Sequence, residues 1–258
     1  MKVVIFASDH VGAETIRFLV ERDEPIAAVV LDSLDKGGHN DRILEYIAKS
    51  SGRCFILFSD DIYDPEVLER LKAIEPGIFI LAWWPYIVRK ALLDIPTVGV
   101  LNFHPSYLPY NRGRNYNFWT IVEETPFGVT IHWVDEGVDT GDIAFQARIP
   151  KTWEDTGGTL YQKASSAMAE LFQNSWDAIV RGDIPRTPQD FSKGTVHRGT
   201  ELEAASRVNL DEQYSGRQLL NLLRARTFPP HPGAWFLDDD GQRYDIRIHV
   251  SATEHEGR

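Results

Sequence analysis

Lys2-Val3-Val4-Ile5-Phe6-Ala7, then an amphipathic stretch over 11–22, then Ala27-Ala28-Val29-Val30-Leu31: this opening run decides the fold. Short apolar runs rich in β-branched residues suit strands buried on both faces. Where they alternate with stretches of helical period, parallel strands joined by crossover helices are expected. Within the first amphipathic stretch Ile16, Leu19 and Val20 fall at i, i+3 and i+4, a stripe to lie on a sheet. The alternation continues with a helix over 41–51, a strand over 54–58, a helix over 65–74, and strands over 78–82 and 98–103. The expected fold class is α/β: a Rossmann-like, mostly parallel sheet flanked by helices, with a small C-terminal helix plus β-hairpin region.

Further along, residues 118–123 read as a short helix, and 128–133 and 143–149 as strands. A long helix is expected over 159–181, capped by Thr159 or Gly158 and stopped at Gly182 before Pro185. Prolines, glycines and charges mix without period over 184–209, and helical spacing returns over 215–226 through Leu219, Leu222 and Leu223. Residues 234–237 and 244–248 alternate apolar with polar around Asp240-Gly241, which predicts a hairpin with a two-residue turn. Such a ribbon is marginal alone and needs the body or a second subunit to pack on. The expected division is a Rossmann-like domain over 1–183 and a C-terminal extension over 184–258, with a frayed polar tail from Ser251.

Composition narrows the function classes. With 43% hydrophobic and 25% charged residues, a chain of 258 is an ordinary globular one. A net charge of -11 repels polyanions and argues against a nucleic-acid partner. The single cysteine, Cys54, has no internal partner and sits in an apolar run, as expected of an inert thiol in a reducing cytoplasm. The first apolar run is too short for a signal core or a membrane span. After it, Ser8-Asp9-His10-Val11-Gly12 lacks the glycine pattern that lets a dinucleotide pyrophosphate approach the backbone.

In open parallel sheets the ligand crevice lies beyond the carboxyl ends of the strands. The fifth strand runs into Asn102-Phe103-His104-Pro105, so Asn102 and His104, two apart, project to the same side at such an end. A carboxylate to orient His104 is available in the glycine-bearing loop Asp135-Glu136-Gly137-Val138-Asp139-Thr140-Gly141-Asp142, and spacing alone leaves open which of its four acids serves.

The words Asn102-Phe103-His104-Pro105-Ser106-Tyr107-Leu108-Pro109, then Arg112-Gly113, then Gly128-Val129-Thr130-Ile131-His132 and Val138-Asp139-Thr140-Gly141-Asp142 resemble the folate-dependent formyltransferases. The resemblance covers about the first two thirds of the chain, and the segment from Tyr110 to Trp119 looks most like the sugar N-formyltransferases. It implies a catalytic set of Asn102, His104 and Asp139. His104 would take the proton of the attacking amine as general base, Asp139 would hold the imidazole, and Asn102 would donate to the oxygen of the tetrahedral intermediate.

The resemblance further implies N10-formyltetrahydrofolate as co-substrate and no metal. Backbone groups of Tyr86, Ile87 and Val88, with those of Asp135, Glu136, Gly137 and Val138, would meet the edge of the pterin ring. Ser106, Leu108 and Pro109 would line the folate loop, and Arg114 would contact folate. Arg112 and Asn115 would face the acceptor, with the diphosphate of a nucleotide-linked amino sugar as the anion for either arginine. The implied activity is formylation of such a sugar, a precursor of O-antigen lipopolysaccharide or a related glycan, by a cytoplasmic homodimer with no membrane partner. Methionyl-tRNA formyltransferase carries a further tRNA-binding domain, for which this chain is too short and too acidic. A formyltetrahydrofolate hydrolase and a noncatalytic folate-binding module are the alternatives.

Overall fold

The structure, a computed structural model, describes residues 1–33, 39–50, 52 and 54–253. Its elements run β1 (Val3–Ala7), α1 (Asp9–Glu21), β2 (Ile26–Leu31), α2 (Asn40–Ala48), β3 (Phe55–Phe58), α3 (Pro65–Ala73), β4 (Ile78–Ala82), α4 (Lys90–Leu93) and β5 (Gly99–His104). They continue with β6 (Arg112–Gly113), α5 (Tyr116–Val122), β7 (Gly128–Trp133), β8 (Ile143–Arg148), α6 (Gly157–Arg181), β9 (Val196–His197), α7 (Glu201–Ala205), α8 (Gly216–Arg226), β10 (Ala234–Leu237) and β11 (Arg243–Ile246). The chain forms two compact units, one of 1–104, 129–147 and 165–189, the other of 105–128, 148–164 and 190–258.

The first unit holds a seven-stranded sheet in the order β3-β2-β1-β4-β5-β7-β8. Strands β1 to β5 pair in parallel and β7 runs antiparallel to β5, so the mostly parallel α/β sheet is present with one reversal near its edge. Alternate residues of each strand serve opposite faces. Val4, Phe6, Val30, Phe79, Leu81 and Val100 pack with Leu71 of α3 and Leu92 of α4 on one face. On the other, Phe103 meets Phe172 of α6 at 5.3 Å between ring centres, and Phe172 meets Phe18 of α1 at 5.9 Å. Because Val100 belongs to the first of these faces, Asn102 and His104 continue the same row where the apolar packing ends.

In the second unit α5 packs on α8, whose start carries a capping box: Ser215 and Gln218 exchange side-chain and backbone bonds. The long helix begins earlier than its sequence pattern indicates. Thr156 and Thr159 bond reciprocally, which makes Thr156 rather than Thr159 or Gly158 the capping hydroxyl.

The hairpin is present, but its connection spans residues 238–242 rather than two residues. Asp238 closes it by accepting from the backbone N–H groups of Asp240 and Gln242 at 3.1 and 2.8 Å, while Gly241 takes the positive φ of 79°. The aperiodic stretch 184–209 contains β9 and the short α7, neither of which has a periodic signature. Ser51, the last residue of the helix expected over 41–51, and residues 254–258 of the expected frayed tail lie outside the described residues. Among the described residues no helix is long and apolar enough to cross a membrane.

Candidate active site

The antiparallel register of β5 and β7 sets Asn102 opposite His132 and His104 opposite Thr130. Directly opposed residues point to one face, so two strands place four polar side chains in a patch. His104 and His132 are 4% and 2% exposed, buried among groups that must satisfy them. Asp139 closes the cluster: one carboxylate oxygen lies 3.4 Å from His104 Nδ1 and the other 3.4 Å from His132 Nε2. Asn102 Nδ2 is 3.1 Å from the same His132 nitrogen, and Gln146 donates to Thr130 Oγ1 at 2.9 Å.

The carboxylate is aimed by its loop. Asp139 has φ 52°, in the left-handed region that aspartate tolerates better than most residues. Gln189 donates to the backbone carbonyls of Asp139 and Gly141, and Asp135 accepts from Gly137 N–H and the Thr140 hydroxyl. At Gly141 a Cβ would fall 1.8 Å from the carbonyl oxygen of Trp133, so only glycine permits this turn against β7. Of the four acids in the loop, Asp139 is the one with carboxylate oxygens beside the imidazoles, while Asp135 is used to shape the loop.

Glu136 and Val138 are exposed on that loop, as is Gly137. Beyond β4, Tyr86 and Ile87 are exposed and Val88 is half-buried. The Tyr86 hydroxyl donates to Asp32 at 2.7 Å, and this carboxylate pushes the phenol above its usual range. Its side chain is thereby tied to the end of β2, and Ile87 O accepts from Tyr63 OH at 3.4 Å.

The remaining sequence-indicated residues belong to the second unit. Ser106 is buried, with its hydroxyl on Tyr110 O at 2.8 Å; Leu108 is buried and Pro109 half-buried. Arg112 and Gly113 pair with Val196 and His197, and Arg114 N–H donates to His197 O at 2.9 Å. Gly113, at φ 86°, would drive a Cβ to within 2.2 Å of His197 O. The Arg112 guanidinium sits 4.6 Å from the Phe191 ring centre, Arg114 is exposed, and Asn115 starts α5 at φ 60°. Segment 190–201 thus flanks the arginine loop, with His197 stacked on Trp119 at 3.9 Å between ring centres.

His132 and Thr130, which fall in a segment that carries the resemblance but were assigned no role there, support the cluster, as do Gln146 and Gln189. The signal for the first two was the period of β7, which sets them on the face of Asn102 and His104 once the pairing is known. Elsewhere, Cys54 is half-buried and burial raises its thiol to about 11. A cavity of about 190 Å³ in the second unit, lined by Ile121, Glu124, Lys151, Trp153, Arg217 and Arg224 among others, contains none of the residues above. Among the described residues no group of three or more His, Cys, Asp or Glu side chains could hold a metal ion.

An imidazole with a carboxylate beside its Nδ1 and an amide two residues away thus sit at the carboxyl end of a sheet strand, where ligands bind in open α/β folds. The chain matches the Formyl transferase family over residues 1–175 and the N-formyltransferase dimerization C-terminal domain over 201–252. It belongs to the formyl transferase family and is an enzyme that transfers a one-carbon formyl unit.

A methionyl-tRNA formyltransferase of Syntrophus aciditrophicus is 33% identical over 239 residues, 91% of this chain and 75% of that protein. Among solved structures, a sugar N-formyltransferase from Shewanella sp FDAARGOS_354 aligns with a TM-score of 0.79 at 21% identity, covering 98% of this chain and 99% of the other. A 4-N formyltransferase from Francisella tularensis aligns with a TM-score of 0.77 at 21% identity and the same coverage.

Proposed function

We propose that the chain moves the formyl group of N10-formyltetrahydrofolate to the amino group of a nucleotide-linked amino sugar. The observation that carries the reading is the cluster of Asn102, His104 and Asp139 at the end of β5. Attack of a neutral amine on the formyl carbon places negative charge on the carbonyl oxygen and leaves an extra proton on nitrogen. His104, with Asp139 behind its Nδ1, is suited to accept that proton through Nε2 and to deliver it to the departing folate nitrogen. Asn102 is suited to donate an amide N–H to the oxygen, a contribution of about 3 kcal/mol by comparison with other such donors. No covalent enzyme intermediate is needed, so Ser106 and Cys54 have no role as nucleophiles.

The folate assignment is supported by structural relatives. One, a sugar 3N-formyl transferase, was solved with dTDP and 5-N-formyl-THF, and another, from Helicobacter canadensis, with folinic acid and dTDP-3-aminofucose. In this reading the backbone at Tyr86, Ile87 and Val88 and at 135–138 takes the pterin, Ser106, Leu108, Pro109 and Arg114 the rest of the folate, and Arg112 with Asn115 the acceptor. Residues 1–183 form the catalytic part, and 184–258 the extension through which two copies pair; the dimerization match over 201–252 supports this. The product would be a glycan precursor made in the cytoplasm.

Methionyl-tRNA is the second acceptor to weigh, because the relatives in sequence carry that name. The net charge of -11 and the dimerization match favour the sugar. Incubation with N10-formyltetrahydrofolate and UDP-, dTDP- and GDP-linked amino sugars, read by mass for an added carbonyl unit, tests the proposal. Formylation of one of them supports it. Formylation of methionyl-tRNA alone, or release of formate with no acceptor present, contradicts it.

A further inference from the structure

We infer that His132 is a positioning residue for Asn102, locking its amide in the orientation that presents an N–H rather than a carbonyl oxygen to the reacting centre. The inference rests on the reading of Asn102 as the oxyanion donor. His132 Nδ1 lies 2.7 Å from the backbone oxygen of Trp133, which can only accept. A neutral imidazole has one N–H, and that contact claims it. Nε2 is left as a lone pair, and Asn102 Nδ2, 3.1 Å away, has only N–H to offer it. An asparagine amide has two nearly isosteric orientations. The Asp139 carboxylate already lies 3.4 Å from that lone pair in either orientation, so the Asn102 N–H is what offsets it, and the flipped amide would replace this donor with a second acceptor.

Burial gives the preference force. His132 is 2% exposed, so no bulk water relieves a mismatched contact. The amide nitrogen carries two hydrogens: one is held by His132, and the other is free to meet the oxygen that gains charge. The chain of constraint runs from Trp133 O through the His132 tautomer to Asn102. All of it lies on the paired strands β5 and β7, so the donor is set before substrate arrives, which is how an oxyanion donor is most effective.

Two measurements on the full chain decide it. Long-range 1H–15N correlation at pH 8, with the His132 signals assigned from the His132→Gln spectrum, is expected to show Nδ1 protonated and Nε2 bare. An Nε2–H tautomer or a doubly protonated ring overturns the inference whatever the enzyme's activity. In formyl transfer from N10-formyltetrahydrofolate to the amino-sugar nucleotides, His132→Asn keeps the bond to Trp133 but loses the acceptor at Nε2.

Its kcat is expected to fall roughly 10- to 100-fold, part of the loss known for deleting such a donor, with both KM values within about twofold. Glutamine places an oxygen near Nε2, so His132→Gln is expected to recover to within about fivefold of the natural enzyme. Equal rates for both variants and the natural enzyme, beside an impaired Asn102→Ala, overturn the inference alone. An Asn102→Ala enzyme of full activity overturns the reading of Asn102 instead.

Discussion

Gln189 holds Asp139 in place: its amide nitrogen donates to the Asp139 carbonyl oxygen at 2.9 Å and to that of Gly141 at 2.7 Å. One side chain therefore bridges two carbonyls of the loop that carries the carboxylate. The positive φ of Asp139 persists because bonds of this kind over-determine it.

Replacing Gln189 with alanine leaves both carbonyls without this donor. With about 1–3 kcal/mol at stake for each buried group that loses its partner, the variant should melt several degrees lower. Transfer should slow about tenfold as Asp139 loses its aim. A melting curve and a rate equal to the natural enzyme's would show that the clamp is dispensable.

Asn102→Ala should reduce kcat about a hundred- to a thousand-fold while leaving the KM for N10-formyltetrahydrofolate nearly unchanged, because the amide acts on charge that develops only in the transition state. Steady-state kinetics on a formylated acceptor checks this. A change confined to KM would make Asn102 a substrate-binding group.

Lys151 gives a pH dependence of stability. Its ammonium is held by Thr120 and Thr125 oxygens, and burial first, then the positive charge of Arg224, lower it from 10.5 to about 8. Between pH 8 and 10.5 the unfolded chain carries a proton on Lys151 that the folded chain has released. Raising the pH through that window therefore stabilises the fold, and below pH 8 the cost of burying the charge is present in full. Urea midpoints of the natural protein and Lys151→Met should diverge in favour of the natural protein as pH rises from 8 to 10. A constant difference would contradict the assignment.

Cys54 should resist alkylation. With its thiol raised to about 11 by burial, little thiolate exists at neutral pH, and iodoacetamide should modify the folded protein far more slowly than the urea-unfolded chain. Equal rates, read by intact mass, would show the thiol to be unperturbed.

Much of this was legible in the residues. Apolar runs such as 3–7 and 27–31 have no polar position at which to meet water, so they could only be central strands, and β1 and β2 are there. Asn102 and His104 were readable because a two-residue spacing on a strand survives any detail of packing. Their association with Asp139 needed the family likeness, since four acids share that loop and nothing in spacing separates them. The contact of His132 with Asn102 was not legible for another reason: it depends on the antiparallel register of β5 with β7, a contact across 30 residues that no local pattern encodes. The pairing of β6 with β9 is similarly non-local, two residues on each side with no period to announce them.

The central claim is that the His104 imidazole, oriented by Asp139, takes the proton of an attacking amine. The most direct test is the pH dependence of kcat/KM for formyl transfer to an amino-sugar nucleotide, measured for the natural enzyme, Asp139→Asn and His104→Ala. A base works only when unprotonated, so the natural enzyme should lose activity as pH falls through the imidazole range, with a single-proton acid limb. Asp139→Asn should be slower by at least about a hundredfold, and His104→Ala should retain only a slow rate without that limb. A natural enzyme and His104→Ala with the same rate and the same pH profile would contradict the account.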